Sequence, residues 1–168
     1  MTQEQKELLL KDLCARLPYG VRGKVKVDTV VPYKYDTYGL PVETTFDVDV
    51  ELLRIDAGND EIFVSTFDNN EDLENYIEEC QIDGTPWTIE EFTPYLRSMS
   101  SMTEEEYKEF KACHCVYDLH PDFQPMMCTI MNERNMFDWL DKNDFDYRGL
   151  IPKGLAIDVT KENNPYKK

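Results

Sequence analysis

Residues 44–55, TTFDVDVELLRI, alternate two kinds of side chain: Phe46, Val48, Val50 and Leu52 at even positions, Asp47, Asp49 and Glu51 at odd ones. Successive side chains on a strand point to opposite faces, so this period of two fits a strand with one apolar and one acidic face. A helix cannot gather such a set along one side. The cluster DAGND at 56–60 reads as a turn, and EIFVSTF resumes the strand pattern, so the two runs predict a β-hairpin. Upstream, VRGKVKVDTVV at 21–31 sets Val25, Val27 and Thr29 against Lys24, Lys26 and Asp28 in the same alternation. An antiparallel sheet of three or more strands is expected. Between these runs, residues 32–42 (PYKYDTYGLPV) hold two prolines and a glycine and read as a long connection.

Helical signals flank the sheet. Thr2 with Gln5 makes a capping-box pattern ahead of Leu9, Leu10, Leu13 and Leu17, and Pro18-Tyr19-Gly20 stops the helix. FDNNEDLENYIEEC at 67–80 carries Leu73, Tyr76, Ile77 and Cys80 at helical spacing. Thr88 and Glu91 form a second capping box, expected to open a short helix that Pro94 interrupts or kinks. In PYLRSMSSMTEEEYKEF at 94–110, Thr103 and Glu106 make a third, with acids in the first turn where the helix dipole favours them. Residues 113–130 read as loop with some extended character, and NERNMFDWLDKN as a helix with Met136, Phe137, Trp139 and Leu140 partly buried. The end of FDYRGLIPKGLAIDV reads as a further strand, and NNPYKK reads as a frayed tail.

These elements specify an α+β fold: an antiparallel sheet packed by N- and C-terminal helices, as one domain over 1–162 with a flexible tail at 163–168. A chain of 168 residues with 12% aromatics has enough apolar surface for a core. No window reaches the roughly 18 apolar residues that span a bilayer, and the basic start and apolar stretch of a secretory signal are lacking. A cytoplasmic protein is expected. Five cysteines, Cys14, Cys80, Cys113, Cys115 and Cys128, form an odd set and are read as mostly free thiols.

The net charge of −16 is distributed unevenly. Residues 1–42 sum to +2, 93–168 to −3, and 43–92 to −15, with Arg54 the only base in that middle stretch. Such a field repels nucleic acid and anionic membrane, so direct binding of either is not expected, whereas a basic protein surface would be attracted.

LPYGV at 17–21, PYLRSMSSMTEEE at 94–106 and DWL with FDYRGLIPKGLA at 138–156 resemble a group of small acidic proteins from gut bacterial genomes and their prophages. KELLLKDLCARLPYGV at the N-terminus is similar as well. The resemblance covers about a third of the chain, at its two ends, and does not extend to the acidic middle. Relatives in that group carry a pair of histidines before the FDYRGL run, where this chain has Asn143-Asp144. The resemblance implies an accessory, mobile-element setting and brings no activity, cofactor or catalytic residue.

Candidate chemistry is sparse. A serine nucleophile needs a neighbouring base, and the chain's two histidines lie well beyond Ser98, Ser100 and Ser101. Those serines are read as helix-entry residues, and Arg97 as the partner of a carboxylate or a helix C-terminus. Cys113, His114, Cys115, His120 and Cys128 supply thiolates and imidazoles of the kind zinc takes, but without paired C-x₂₋₄-C spacing. The row Asp47, Asp49, Glu51 is oxygen-rich yet flat, unlike a loop that wraps a cation. Arg148 and Lys153 near Tyr147 suit an anion or, more simply, a core-anchoring turn. Glycine-rich phosphate loops, G-x-S-x-G and H-E-x-x-H are absent from the sequence.

The leading expectation is a non-enzymatic accessory protein without a cofactor. It would act through Asp47, Asp49 and Glu51 on the strand and Glu71, Asp72, Glu74, Glu78 and Glu79 on the following helix. Together these would face a basic protein and imitate a phosphate backbone. The alternative is a metal-dependent protein or enzyme with a Cys/His zinc site at 113–128.

Overall fold

The alternating runs fold into a long antiparallel hairpin of β1 (Val21–Tyr35, 15 residues) and β2 (Pro41–Asp56, 16 residues). The computed structural model describes residues 1–35, 41–66, 82, 84–114 and 125–166. Two compact units form: Met1–Tyr95 with Pro165–Lys168, and Leu96–Asn164. The fold is α+β.

In the first unit, α1 (Gln3–Arg16) begins at the expected capping box, with the Thr2 hydroxyl accepting from the Gln5 amide and the Gln5 side chain accepting from the Thr2 amide. Leu9 and Leu13 are fully buried. So are Asp12 and Arg16, whose carboxylate and Nε meet at 2.8 Å one turn apart.

β3 (Glu61–Thr66), β4 (Pro86–Thr88) and β5 (Phe92–Leu96) complete this unit's sheet in the order β4-β3-β2-β1-β5, every pairing antiparallel. Val25, Val27, Val48, Val50, Ile62 and Val64 bury one face of the sheet, as a strand period of two requires. The alternation of β2 breaks where expected apolar and polar positions cross over. Leu52 pairs with Val64 and Arg54 with Phe63, so Leu53 is an inserted residue at a bulge, 57% exposed. Gly23 is forced by close approach: a Cβ there would lie 2.5 Å from the Phe92 ring and 2.6 Å from the Thr93 carbonyl.

Several expectations need correction. The long connection expected at 32–42 is strand at both ends, because β1 continues through Pro32 to Tyr35 and β2 starts at Pro41, with Tyr35 opposite Pro41; residues 36–40 lie outside the described residues. Thr88 and Glu91 cap only one 3₁₀ turn, Ile89–Glu91, and Pro94 lies in a strand rather than in a kinked helix. Pro94 costs no rung because it stands opposite Gly23. The Arg22 amide is directed to the β5 side, so neighbouring Gly23 turns its own backbone groups toward β2. The helix expected at 67–80 lies outside the described residues.

The second unit carries α2 (Glu104–His114), α3 (Pro125–Lys142) and β6 (Ile157–Asp158). Within this unit the Val159 amide donates to the Leu96 carbonyl at 2.8 Å. The capping box at Thr103 is present: the Glu106 amide donates to Thr103 Oγ1, and the Thr103 amide to Glu106 Oε2. The loop expected at 113–130 is partly helix, because α2 runs to His114 and α3 starts at Pro125. A proline at the first helical position lacks only an amide that would have no helical partner anyway. The apolar side of α2 and α3 meets through Phe110 and Trp139, whose rings are 5.6 Å apart, and Trp139 stacks on Phe145 at 5.6 Å. Phe137, expected to be partly buried, is 48% exposed and lies beside Tyr147.

Candidate functional site

The acidic row of β2 is where the sequence pattern put it, on the face of the sheet opposite the buried valines. Register adds what the pattern lacked. Arg22 stands opposite Glu51, Lys24 opposite Asp49 and Lys26 opposite Asp47. Directly opposed side chains on one face sit about 4.5–5.5 Å apart at Cβ. Arg22 Nε lies 3.7 Å from Glu51 Oε2. Asp49 has a further partner in Tyr95, whose hydroxyl donates to its carboxylate at 2.7 Å. Burial, followed by that bond to Asp49, pushes the Tyr95 phenol well above its ordinary value and fixes it as a donor. This face is therefore a ladder of alternating sign. A single-sign strip would need these three acids to be unopposed.

A different group of carboxylates gathers at the turn end of the same sheet. Asp56 closes the β2–β3 turn, accepting from the Gly58 amide at 3.1 Å and the Asn59 side-chain amide at 3.0 Å. Asp60 adopts a left-handed conformation, φ 58°, which Asp tolerates better than most residues. The Ile89 amide donates to the Asp60 carbonyl, and Glu61 stands opposite Thr88. Thr88 in turn bonds to the Glu91 carboxylate through its amide at 2.7 Å and its hydroxyl at 2.9 Å. The hairpin and the capped turn thus place Asp56, Asp60 and Glu61 on the one and Glu90 and Glu91 on the other, next to each other in the strand register. Lys6 of α1 reaches into them, 2.9 Å from Asp60 and 4.0 Å from Glu90, and its ammonium is held above its usual range chiefly by the hydrogen bond to Asp60. The acids stay in water: the side chains of Asp60 and Glu90 are 53% and 46% exposed. The strand alternation drew notice to Asp47, Asp49 and Glu51; the loop acids carried no periodic signal, and only the turn cluster DAGND hinted at their meeting.

Glu71, Asp72, Glu74, Glu78 and Glu79 lie outside the described residues, as do Cys115 and His120. Cys113 is half-buried near the end of α2, His114 is its last residue, and Cys128 is on α3. Among the described residues no group of three or more His, Cys, Asp or Glu is placed to hold a metal ion. No described helix is long and apolar enough to cross a membrane.

In the second unit the polar residues singled out from the sequence serve packing. Arg97 forks onto Glu106, with Nη1 and Nη2 at 2.7 and 3.0 Å from the two carboxylate oxygens, and its guanidinium lies 4.3 Å from the centre of the Phe145 ring. Arg97 lowers the Glu106 carboxyl from 4.5 to about 2, helped by the Thr103 amide. Ser98 Oγ and Ser100 Oγ are 2.7 Å apart, and Ser101 bonds back to the Ser98 carbonyl. Arg148 pairs with buried Asp141 at 2.9 Å, and Lys153 donates to the Gly149 carbonyl. Asp146, also buried, accepts from the Leu150 and Ile151 amides at 2.7 and 2.8 Å. The FDYRGLIPKG segment is a core-anchoring turn.

Comparison with protein-family models, with curated proteins and with solved structures finds no match to this chain.

Proposed function

We propose that the protein is a non-enzymatic accessory protein that acts by contact with a basic protein surface, and that its contact end is the group Asp56, Asp60, Glu61, Glu90 and Glu91. One observation carries this reading: at the turn end of the first sheet Asp60 and Glu90, both largely solvent-exposed, flank Lys6, with Glu61 and Glu91 on the adjoining strand and turn. The row Asp47, Asp49, Glu51 contributes less than its spacing suggests, because Arg22, Lys24 and Lys26 face it. Residues 71–79 add sequence charge to the same negative stretch. The accessory setting rests on the resemblance of the chain's two ends to the prophage-associated group, and the expectation of a phosphate-backbone mimic is kept only as the form a basic groove would recognise.

Exposed charges more than a Debye length apart, about 8–10 Å in physiological salt, are screened, so contact through this end is sensitive to ionic strength. Capture of partners from a lysate by the wild-type chain and by the triple variant Glu61→Lys, Glu90→Lys, Glu91→Lys tests it. The expected result is a basic partner retained by wild type at low salt, released at high salt and not retained by the variant. Equal retention by both chains would remove this end from the interface.

A further inference from the structure

The chain leaves the first unit after Tyr95 and returns to it at Pro165. The two ends meet in a specific way. Tyr166 Oη donates to the Tyr95 carbonyl at 3.1 Å and accepts from the Arg22 amide at 3.4 Å. Arg22 Nη1 donates to the Pro165 carbonyl, and its guanidinium lies 5.9 Å from the centre of the Tyr166 ring. The sequence NNPYKK, read alone as a frayed tail, supplies all of these contacts.

The place of the hydroxyl gives them meaning. The β1–β5 register runs Val25↔Phe92, Lys24↔Thr93, Gly23↔Pro94 and stops there. One further step brings Arg22 opposite Tyr95. In an unbroken antiparallel ladder the amide of the one would donate directly to the carbonyl of the other. Here the Tyr166 hydroxyl stands between them, accepting from the first and donating to the second. A hydroxyl is suited to this because it has one donor and two acceptor positions. The Tyr95 side chain reaches back to β2 through Asp49, so the last residue before the 96–164 excursion is bonded both to the tail and to the sheet.

We propose that Pro165–Tyr166 is a clasp: its phenol hydroxyl bridges β1 and β5 as a side-chain rung between Arg22 and Tyr95. Opening the clasp strips the Arg22 amide and the Tyr95 carbonyl of this partner.

Amide hydrogen exchange followed by NMR on the full chain reads the rung directly, because local opening exposes individual amides without global unfolding. Tyr166→Phe keeps the ring beside Arg22 and removes only the hydroxyl. The expected result is exchange of the Arg22 amide faster by about tenfold, with the Lys24 amide, one rung further in, changed by less than about twofold. Tyr166→Ala removes the ring as well and is expected to accelerate Arg22 further. An Arg22 rate equal in Tyr166→Phe and wild type overturns the proposal. So does equal acceleration at Arg22 and Lys24, which would mean general loosening of the strand and no local rung.

Discussion

Apart from Asp12, buried against Arg16 in the first unit, the acids singled out in the two units are put to different uses. In the second, Glu106, Asp141 and Asp146 are each bound into the fold, by Arg97, by Arg148 with Tyr147, and by two backbone amides respectively. In the first, Asp47, Asp49 and Glu51 face three bases across a strand pair, and Asp60 and Glu90 remain largely in water. A formal charge of −16 therefore does not describe a field. A carboxylate that accepts from buried donors holds structure together, and its charge is matched nearby; a solvated one acts at a distance and is screened by salt.

This contrast is broken most severely at Asp146. Its two oxygens accept from the Leu150 and Ile151 amides, and it is 8% exposed. Asp146→Ala leaves two amides without their partner, and hydrogen bonds to charged groups contribute about 1.5–3 kcal/mol each. The expected loss is roughly 3 kcal/mol by chemical denaturation, with Asp146→Asn between variant and wild type because one acceptor survives. A loss under about 0.5 kcal/mol would place Asp146 with the solvated acids of the first unit.

Glu106 comes next. Its folded value of about 2 lies below its ordinary 4.5, chiefly through the hydrogen bonds from Arg97. A lowered carboxyl adds stability that is fully present above pH 4.5 and is lost as pH falls through about 2. Urea midpoints between pH 5 and pH 2 are expected to fall more steeply for wild type than for Glu106→Gln. At pH 7 the same variant is expected to lose about 1–2 kcal/mol, since it keeps the helix-capping oxygen but not the forked charge pair. Parallel pH profiles for the two proteins would show that the fork does not couple to folding.

Much of this was legible from local pattern. The capping boxes at Thr2 and Thr103 form as read, because each needs only residues three apart. The hairpin at 56–60 closes as read, because turn chemistry and alternation agree. Local readings failed where tertiary pairing overrode punctuation. Pro32 and Pro41 do not end β1 and β2 early, and Pro94 sits in a strand at a position that needs no amide on its β1 side. The start of α3 carried a local signal in Pro125 as a first helical residue, within a stretch read as loop. The charge ladder was legible only by halves: each strand's alternation is local, whereas which base faces which acid depends on register across the whole hairpin. The end cluster draws on α1, the β2–β3 turn and the turn after β4, which no single window contains.

The turn-end acids and the ladder acids differ in a way that small substitutions separate. Reversing Glu90 to Lys sets a second cation beside Lys6 in place of a carboxylate 4.0 Å away. Exposed pairs of this kind contribute about 0–1 kcal/mol, so stability is expected to change by less than about 0.5 kcal/mol while salt-sensitive partner capture weakens. A variant that destabilised the chain by several times that amount would make Glu90 part of the fold's own network.

The smallest effect belongs to the ladder, and it is the one that tests register. Lys26 and Asp47 stand directly opposite each other on the outer face, both exposed, and neither has the additional Tyr95 bond that complicates Asp49. Asp47→Lys puts two ammonium groups opposite one another, and Lys26→Asp does the same with two carboxylates. Opposed like charges on a strand pair are destabilising, and opposite charges contribute roughly 0.2–1 kcal/mol. Each single variant is therefore expected to cost about 0.5 kcal/mol, and the double exchange Lys26→Asp with Asp47→Lys to recover most of it. The recovery depends on contact, because two surface charges far apart would add independently. Raising salt to about 1 M shortens the screening length to about 3 Å and should shrink both the cost and the recovery together. Strict additivity of the two substitutions would mean that these side chains do not face each other. The acids of β2 would then be free to join those at the turn end in one continuous negative surface.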